Sequence, residues 1–273
     1  MLVLDKITQL LFPFQRYLLS HLEAHLIAPQ VEGVRGLIIA VFTAMLLVGF
    51  ANAMPRSLFP KSMVMGCPRW TTYCAIFFQA VVYPACLYLG CVAATGGSLS
   101  IASWYDSGAL LDPAALATGG LHWERVYLYA FFMNLMKDFF GPCTFLFYLH
   151  HATCMFAIVV GLFFVEDVAV IFCMGTYWFE FGSLFYNVWT LHPKSGIVRA
   201  LYFTLFPLSN VVALYHLYLA FWLRNPGAWY SYTFMVIGPV LALMRQLECN
   251  QDIKGRLPTY GPEPGTANAK KDD

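Results

Sequence analysis

The chain has 273 residues, of which 59% are apolar, 17% aromatic and 11% charged, with a formal net charge of +1. So little charge on so apolar a chain excludes an ordinary soluble domain, and the near-neutral balance offers no basis for nucleic-acid binding. A bilayer core about 30 Å thick takes roughly 20 apolar residues per helix, and the composition is that of an all-α polytopic membrane protein.

Residues 1–33 carry Pro, His and charges and lack the basic start and compact apolar run of a signal peptide. Within them His21 and His25 stand one helical turn apart on an amphipathic stretch expected to ride the membrane interface. Apolar runs follow at about 34–51, 71–94, 122–140, 143–165, 168–190, 200–223 and 229–248, separated by charge or by Gly and Pro. The sequence therefore predicts about seven transmembrane helices, the first acting as its own insertion signal. Gly141-Pro142 parts the third run from the fourth, and since Pro donates no backbone hydrogen bond, a tight turn is expected there.

Loop charges set the expected orientation. Arg56, Lys61 and Arg69 lie between spans one and two, Lys194 and Arg199 between five and six, and Lys254, Arg256, Lys270 and Lys271 after span seven. Asp106, Asp112 and Glu124 lie around the loop between spans two and three, and Glu166 and Asp167 between four and five. Basic and acidic loops alternate, which predicts a lumenal amino terminus and a cytosolic carboxyl terminus; Arg224 is the one charge on the wrong side. The ending AKKDD resembles the cytosolic dilysine signal that returns membrane proteins to the endoplasmic reticulum, and residues 251–273 read otherwise as a disordered polar tail.

Eight cysteines, mostly within spans, show no CxxC spacing and read as small apolar residues at helix contacts, so neither a metal site nor a disulfide framework is expected. Zinc on the adjacent His150 and His151 is not expected either, because neighbouring residues on a helix make poor joint ligands and no third ligand is spaced suitably.

An ionisable side chain inside a span costs about 2.5–3.5 kcal/mol, so each needs a partner or a purpose. The third span ends with Asn134, Lys137 and Asp138; the fourth carries His150, His151 and Thr153; the fifth carries Thr176, Glu180, Ser183 and Asn187. The last four are spaced by four, three and four residues and fall on one helical stripe. Adjacent histidines diverge by about 100°, so only one of the pair can aim at a given target. At 1.5 Å per residue His150 lies about 10 Å and Glu180 about 15 Å from the predicted cytosolic boundary, which places histidine, carboxylate and amide in one layer. Taken singly these residues read as interhelical hydrogen-bond contacts; as a set they point to a buried site with His150, His151 and Glu180 at its centre. Gln79, Asn210 and His216 read as packing contacts.

With these residues in view the chain resembles the TLC domain family of translocation-associated, longevity-assurance and ceroid-lipofuscinosis-type membrane proteins. The resemblance rests on His150-His151 and, about thirty residues later, on Glu180, Ser183, Phe185 and Asn187 in FEFGSLFYN, and covers about residues 65–250. It implies six helices in a barrel around a lipid cavity, after an anchor at 34–64. In the ceramide synthases of this family one histidine of the pair takes an acyl group from acyl-CoA, which would make His150 the nucleophile and His151 its partner. Glu180 would then hold the ring tautomer or deprotonate the acceptor. Asn134, Lys137, Asp138, Thr153, Thr176, Ser183 and Asn187 are the expected substrate-binding residues. Ceramide synthases carry two aspartates where Glu180 and Ser183 stand here, so the chain looks closer to the smaller members of the family.

The expected partners are membrane lipids and acyl-CoA as co-substrate, with no bound cofactor, and a homodimer is allowed. Two alternatives stay open: a non-enzymatic lipid binder that regulates membrane composition, and a fatty-acid elongase. Elongases share the seven spans and a His-x-x-His-His motif, but its first position here is Phe147.

Overall fold

The computed structural model describes residues 29–95, 100–106, 123–143, 145–165 and 168–261. The segment with His21 and His25, Asp112, Glu166, Asp167 and the KKDD ending lie outside these residues.

The described chain is mostly helical. In order it forms α1 (Pro29–Ala53), β1 (Met63–Val64), β2 (Cys67–Pro68), α2 (Arg69–Ala94), a short α3 (Ile101–Asp106) and α4 (Trp123–Phe139). Then come α5 (Phe145–Phe164), α6 (Ala169–Leu191), α7 (Gly196–Arg224), α8 (Trp229–Ile253) and β3 (Tyr260–Gly261). Each long helix lies over one of the predicted apolar runs. Four stretches are long and apolar enough to cross a membrane: Gly33–Ala53 in α1, Arg69–Ala94, Phe147–Phe164 in α5 and Gly196–Arg224. α4 falls short of them, with 17 residues that include Glu124, Arg125, Lys137 and Asp138.

Burial divides apolar from polar residues in the manner of a protein solvated by lipid. Ala40, Ala44, Val48 and Ala51 form the buried stripe of α1, which packs on α4, while Leu46 on its outer face is 73% exposed. Conversely Lys137 is only 1% exposed, and Glu180, Asn134 and Arg245 are buried. Outward apolar surface around an inward polar layer suits a bilayer, where each interior polar group must find its partner within the protein. The interior itself is aromatic: Tyr83, Tyr127 and Phe131 meet at 5.3–6.0 Å between ring centroids, and Phe172, Phe221 and Phe234 at 4.5–5.9 Å. At Gly36 an added Cβ would lie in the Tyr129 ring, so glycine lets α1 approach α4.

Proline shapes α2. Pro84 has no N–H to donate, and the turn before it, Phe78–Val82, widens to a π-helix that carries Gln79. Gly141 and Pro142 form a true turn between α4 and α5, pinned by Tyr148, whose hydroxyl donates to Gly141 O and accepts from Cys143 N.

One end of the bundle carries a feature the sequence reading did not contain. β1 and β2 form a hairpin through Met65 and Gly66, both at positive φ, and β3 pairs with the other edge of β1. Tyr260 donates to Thr190 O at 2.6 Å, and the Arg69 guanidinium stands 6.0 Å from its ring. Residues 251–261 are therefore not the disordered tail expected of them: α8 runs to Ile253 and the strand behind it is held by backbone pairing. Arg256 reinforces the link by bonding Asp252, whose carboxylate holds the guanidinium above its ordinary range. The basic first loop and the carboxyl-terminal segment thus share one end. At the other end Arg224 pairs with Asp106 at 2.7 Å and donates to Tyr105 O, which neutralises the charge that broke the loop pattern.

Candidate functional site

The two histidines diverge, as neighbours on a helix must. His151 turns toward α4: its Nε2 lies 3.3 Å from Asp138 Oδ2 and its Nδ1 is 2.8 Å from Phe147 O. A carbonyl only accepts, so Nδ1 carries a hydrogen. Asp138 also accepts from Lys137 Nζ at 3.0 Å on both oxygens, and Lys137 donates to Asn134 O at 2.9 Å. Asn134 Nδ2 in turn donates to Tyr83 OH at 2.9 Å. His151, Asp138, Lys137 and Asn134 thus form a polar cluster at the α4–α5 end, in which the buried Asn134 Oδ1 accepts no hydrogen bond from the described residues, with the Phe147 ring 3.9 Å from that of His151.

His150 faces the other way, into a cavity between α5, α6, α7 and α8. Its Nε2 is 3.7 Å from Cys154 Sγ one turn along α5. Thr176 and Glu180 reach the same cavity from α6, and Arg245 from α8; the remaining walls are almost wholly apolar.

The α6 stripe serves two partners. Gln79 Nε2 donates to Glu180 Oε2 at 2.9 Å, and Gln79 Oε1 accepts from Asn187 Nδ2 at 3.0 Å, so one amide on the π-turn of α2 bridges two turns of α6. On the other side Ser183 Oγ accepts from Arg245 Nη1 at 2.7 Å, Phe179 O from Nη2 at 2.8 Å and Asn210 Oδ1 from Nε at 2.8 Å. Gly182 allows this approach, since a Cβ there would overlap Ser209 Oγ and stand 2.9 Å from Arg245 Nη2.

Of the sequence-predicted residues, His150, Glu180 and Thr176 meet at the cavity, with Ser183 behind Arg245 and Asn187 behind Gln79. His151, Asn134, Lys137 and Asp138 do not line it, although Phe131 of the same helix α4 does; Lys137, Asp138 and His151 bond within their own cluster, which corrects the expectation that all of these residues belong to one substrate site. Thr153 is likewise outside, its hydroxyl donating to Leu149 O of its own helix. No hydrogen bond joins Glu180 to His150 among the described residues, so Glu180 does not fix that ring. Two corrections add residues. Gln79 is a bridge rather than a packing contact, because the π-turn aims it at α6, and Asn210 accepts from Arg245. Arg245 itself was missed, although an arginine inside the predicted span 229–248 was the available signal. His216 does pack between elements, accepting from or donating to Tyr105 OH at 2.7 Å.

No family model matches this chain, and neither the curated proteins nor the solved structures yield a match.

Proposed function

We propose that the chain is a multi-pass membrane protein of the TLC family that transfers an acyl group from acyl-CoA to a lipid amine or hydroxyl. In this reading the seven long helices all span the bilayer, and α2 and α4–α8 form the barrel around the cavity. The observation that carries it is that His150 and Glu180 open into one recess whose other walls are mostly apolar. A neutral imidazole nitrogen of His150 attacks the thioester carbonyl carbon, the carbon–sulfur bond breaks, and the other ring nitrogen gives its proton to the departing sulfur, so that CoA leaves as the thiol and a neutral acyl-imidazole remains. The acceptor then attacks the acyl carbon while Glu180 takes its proton, the carbon–nitrogen bond to His150 breaks, and return of that proton from Glu180 to the released imidazole restores both groups. Because Glu180 is bonded to Gln79 and not to His150, its role lies with the acceptor. His151, fixed by Asp138 and Phe147 O, holds the start of α5 and so positions its neighbour.

The reading places the protein in the endoplasmic reticulum membrane with the carboxyl terminus cytosolic. The shared end of β3 and the basic first loop supports that orientation. The purified full-length protein, given labelled acyl-CoA and a microsomal lipid extract, is expected to form a labelled lipid, and His150→Ala to form none; equal blanks for both with several acyl lengths contradict the proposal.

A non-enzymatic lipid binder is the second reading, favoured by the absence of a Glu180–His150 bond among the described residues. Lipid would copurify and Glu180→Gln would reduce its retention, with no turnover of any acyl donor. The elongase alternative would require a histidine where Phe147 packs on His151, and is tested by malonyl-CoA condensation.

A further inference from the structure

The same cavity holds a charge that acyl transfer does not use. Arg245 is buried and lines the cavity, and its three hydrogen bonds go to a side-chain amide oxygen, a hydroxyl and a backbone carbonyl, all neutral, while its guanidinium carbon lies 4.2 Å from the centroid of the Phe206 ring and 5.4 Å from that of Phe179. Among the described residues no carboxylate lies within ion-pairing distance of it. A guanidinium has five N–H groups, so two remain beyond these three bonds, one on each terminal nitrogen. Beside it, the buried Nδ2 of Asn210 has no hydrogen-bond partner. The one carboxylate that shares the cavity with Arg245 is Glu180, which is bonded to Gln79 and not to the guanidinium, so among the described residues the two remaining N–H groups of this buried cation have no anion on them.

The cavity also has a direction. On α5 the polar lining residue His150 is seven residues from Ala157, on α6 Glu180 is eight from Phe172, and on α8 Arg245 is eleven from Phe234. At 1.5 Å per residue these are about 10, 12 and 16 Å. Since consecutive helices run antiparallel, His150, Glu180 and Arg245 fall at one end and Ala157, Phe172 and Phe234 at the other, with the Thr176 hydroxyl between them on α6. The recess is thus a slot with a polar floor and an apolar shaft, the shape of a single-chain amphiphile.

We infer that Arg245 is the anchor for the carboxylate of a long-chain fatty acid, whose chain lies along Ala157, Phe172 and Phe234. A carboxylate meets the two terminal nitrogens with two charged oxygens, one on each, which a hydroxyl or an ester carbonyl with its single neutral oxygen does not match. The inference deepens the proposed function and rests on it only in taking this recess as a lipid site; it needs no acyl transfer.

The test is retention of labelled oleate by the full-length protein purified in detergent, in competition with unlabelled oleate, methyl oleate, oleyl alcohol and oleyl phosphate. All share the chain and differ in the head. Oleate is expected to compete at least about tenfold better than the ester or the alcohol, as the loss of a charge-assisted pair implies. Arg245→Lys, which keeps the charge and loses the fork, is expected to reduce that preference. Equal competition by all four heads, or no retention at all, overturns the inference, and preference for oleyl phosphate over oleate assigns the anchor to a phosphate head and overturns it too. The competition series on the unaltered protein stands even if a variant does not fold. Acyl labelling from acyl-CoA is read in the same preparation: labelling without a carboxylate preference defeats this inference and leaves acyl transfer standing, and the converse result does the reverse.

Discussion

Gln79 and Glu180 stand 101 residues apart in the chain, and the Gln79 side-chain amide donates to Glu180 Oε2 at 2.9 Å. Through its carbonyl the same amide accepts from Asn187, so α2 and α6 are locked at two successive turns by one residue. Gln79→Leu leaves the buried Glu180 carboxylate and the half-buried Asn187 amide without the bonds Gln79 makes to them, and a destabilisation of about 2–4 kcal/mol is expected. Thermal unfolding of the purified protein in detergent measures it; an unchanged transition would show that the bridge does not hold the two helices.

The Lys137–Asp138–His151 cluster is buried, and its members depend on one another. Asp138→Asn strands the Lys137 ammonium, and about 3–5 kcal/mol of stability should be lost. Pairing Asp138→Leu with Lys137→Met removes both charges and is expected to recover most of it. The exposed Arg224–Asp106 pair is the control: Asp106→Asn should cost less than about 1 kcal/mol.

Gly182→Ala drives a methyl group into Ser209 Oγ and toward Arg245. A loss of about 1–3 kcal/mol is expected from overpacking, together with weaker lipid retention because the guanidinium must shift. Gly182→Ala combined with Ser209→Gly should regain part of the stability.

Tyr260 ties the carboxyl-terminal strand to Thr190 and packs under Arg69. Tyr260→Ala should cost about 1 kcal/mol and, more tellingly, speed limited proteolysis between residues 254 and 261. If cleavage there is equally fast in the unaltered protein, the strand is not held.

Much of the helical layout was legible because apolar length alone announces it: every long helix sits on a predicted run, and the Gly141-Pro142 break is the expected turn. The polar stripe of α6 was legible from its spacing for the same reason. What spacing does not reveal is which neighbour each stripe residue meets. Glu180 and Asn187 turn to Gln79, and Ser183 turns to Arg245, because the π-turn before Pro84 and the gap at Gly182 decide which helices come close. Depth misled in one respect. Asn134, Lys137 and Asp138 share a layer with His150, yet they bond one another and His151 instead of the cavity. The small sheet was invisible because its strands are two residues long, too short for any alternation to show, and the third lies some two hundred residues beyond the hairpin it joins.

The central claim is that His150 carries an acyl group. Intact-mass spectrometry of the purified protein after incubation with a long-chain acyl-CoA tests it most directly. A mass increase equal to one acyl group, absent in His150→Ala and retained in Cys154→Ser, is the predicted result; unmodified protein in all three, or an adduct that survives His150→Ala, would contradict it.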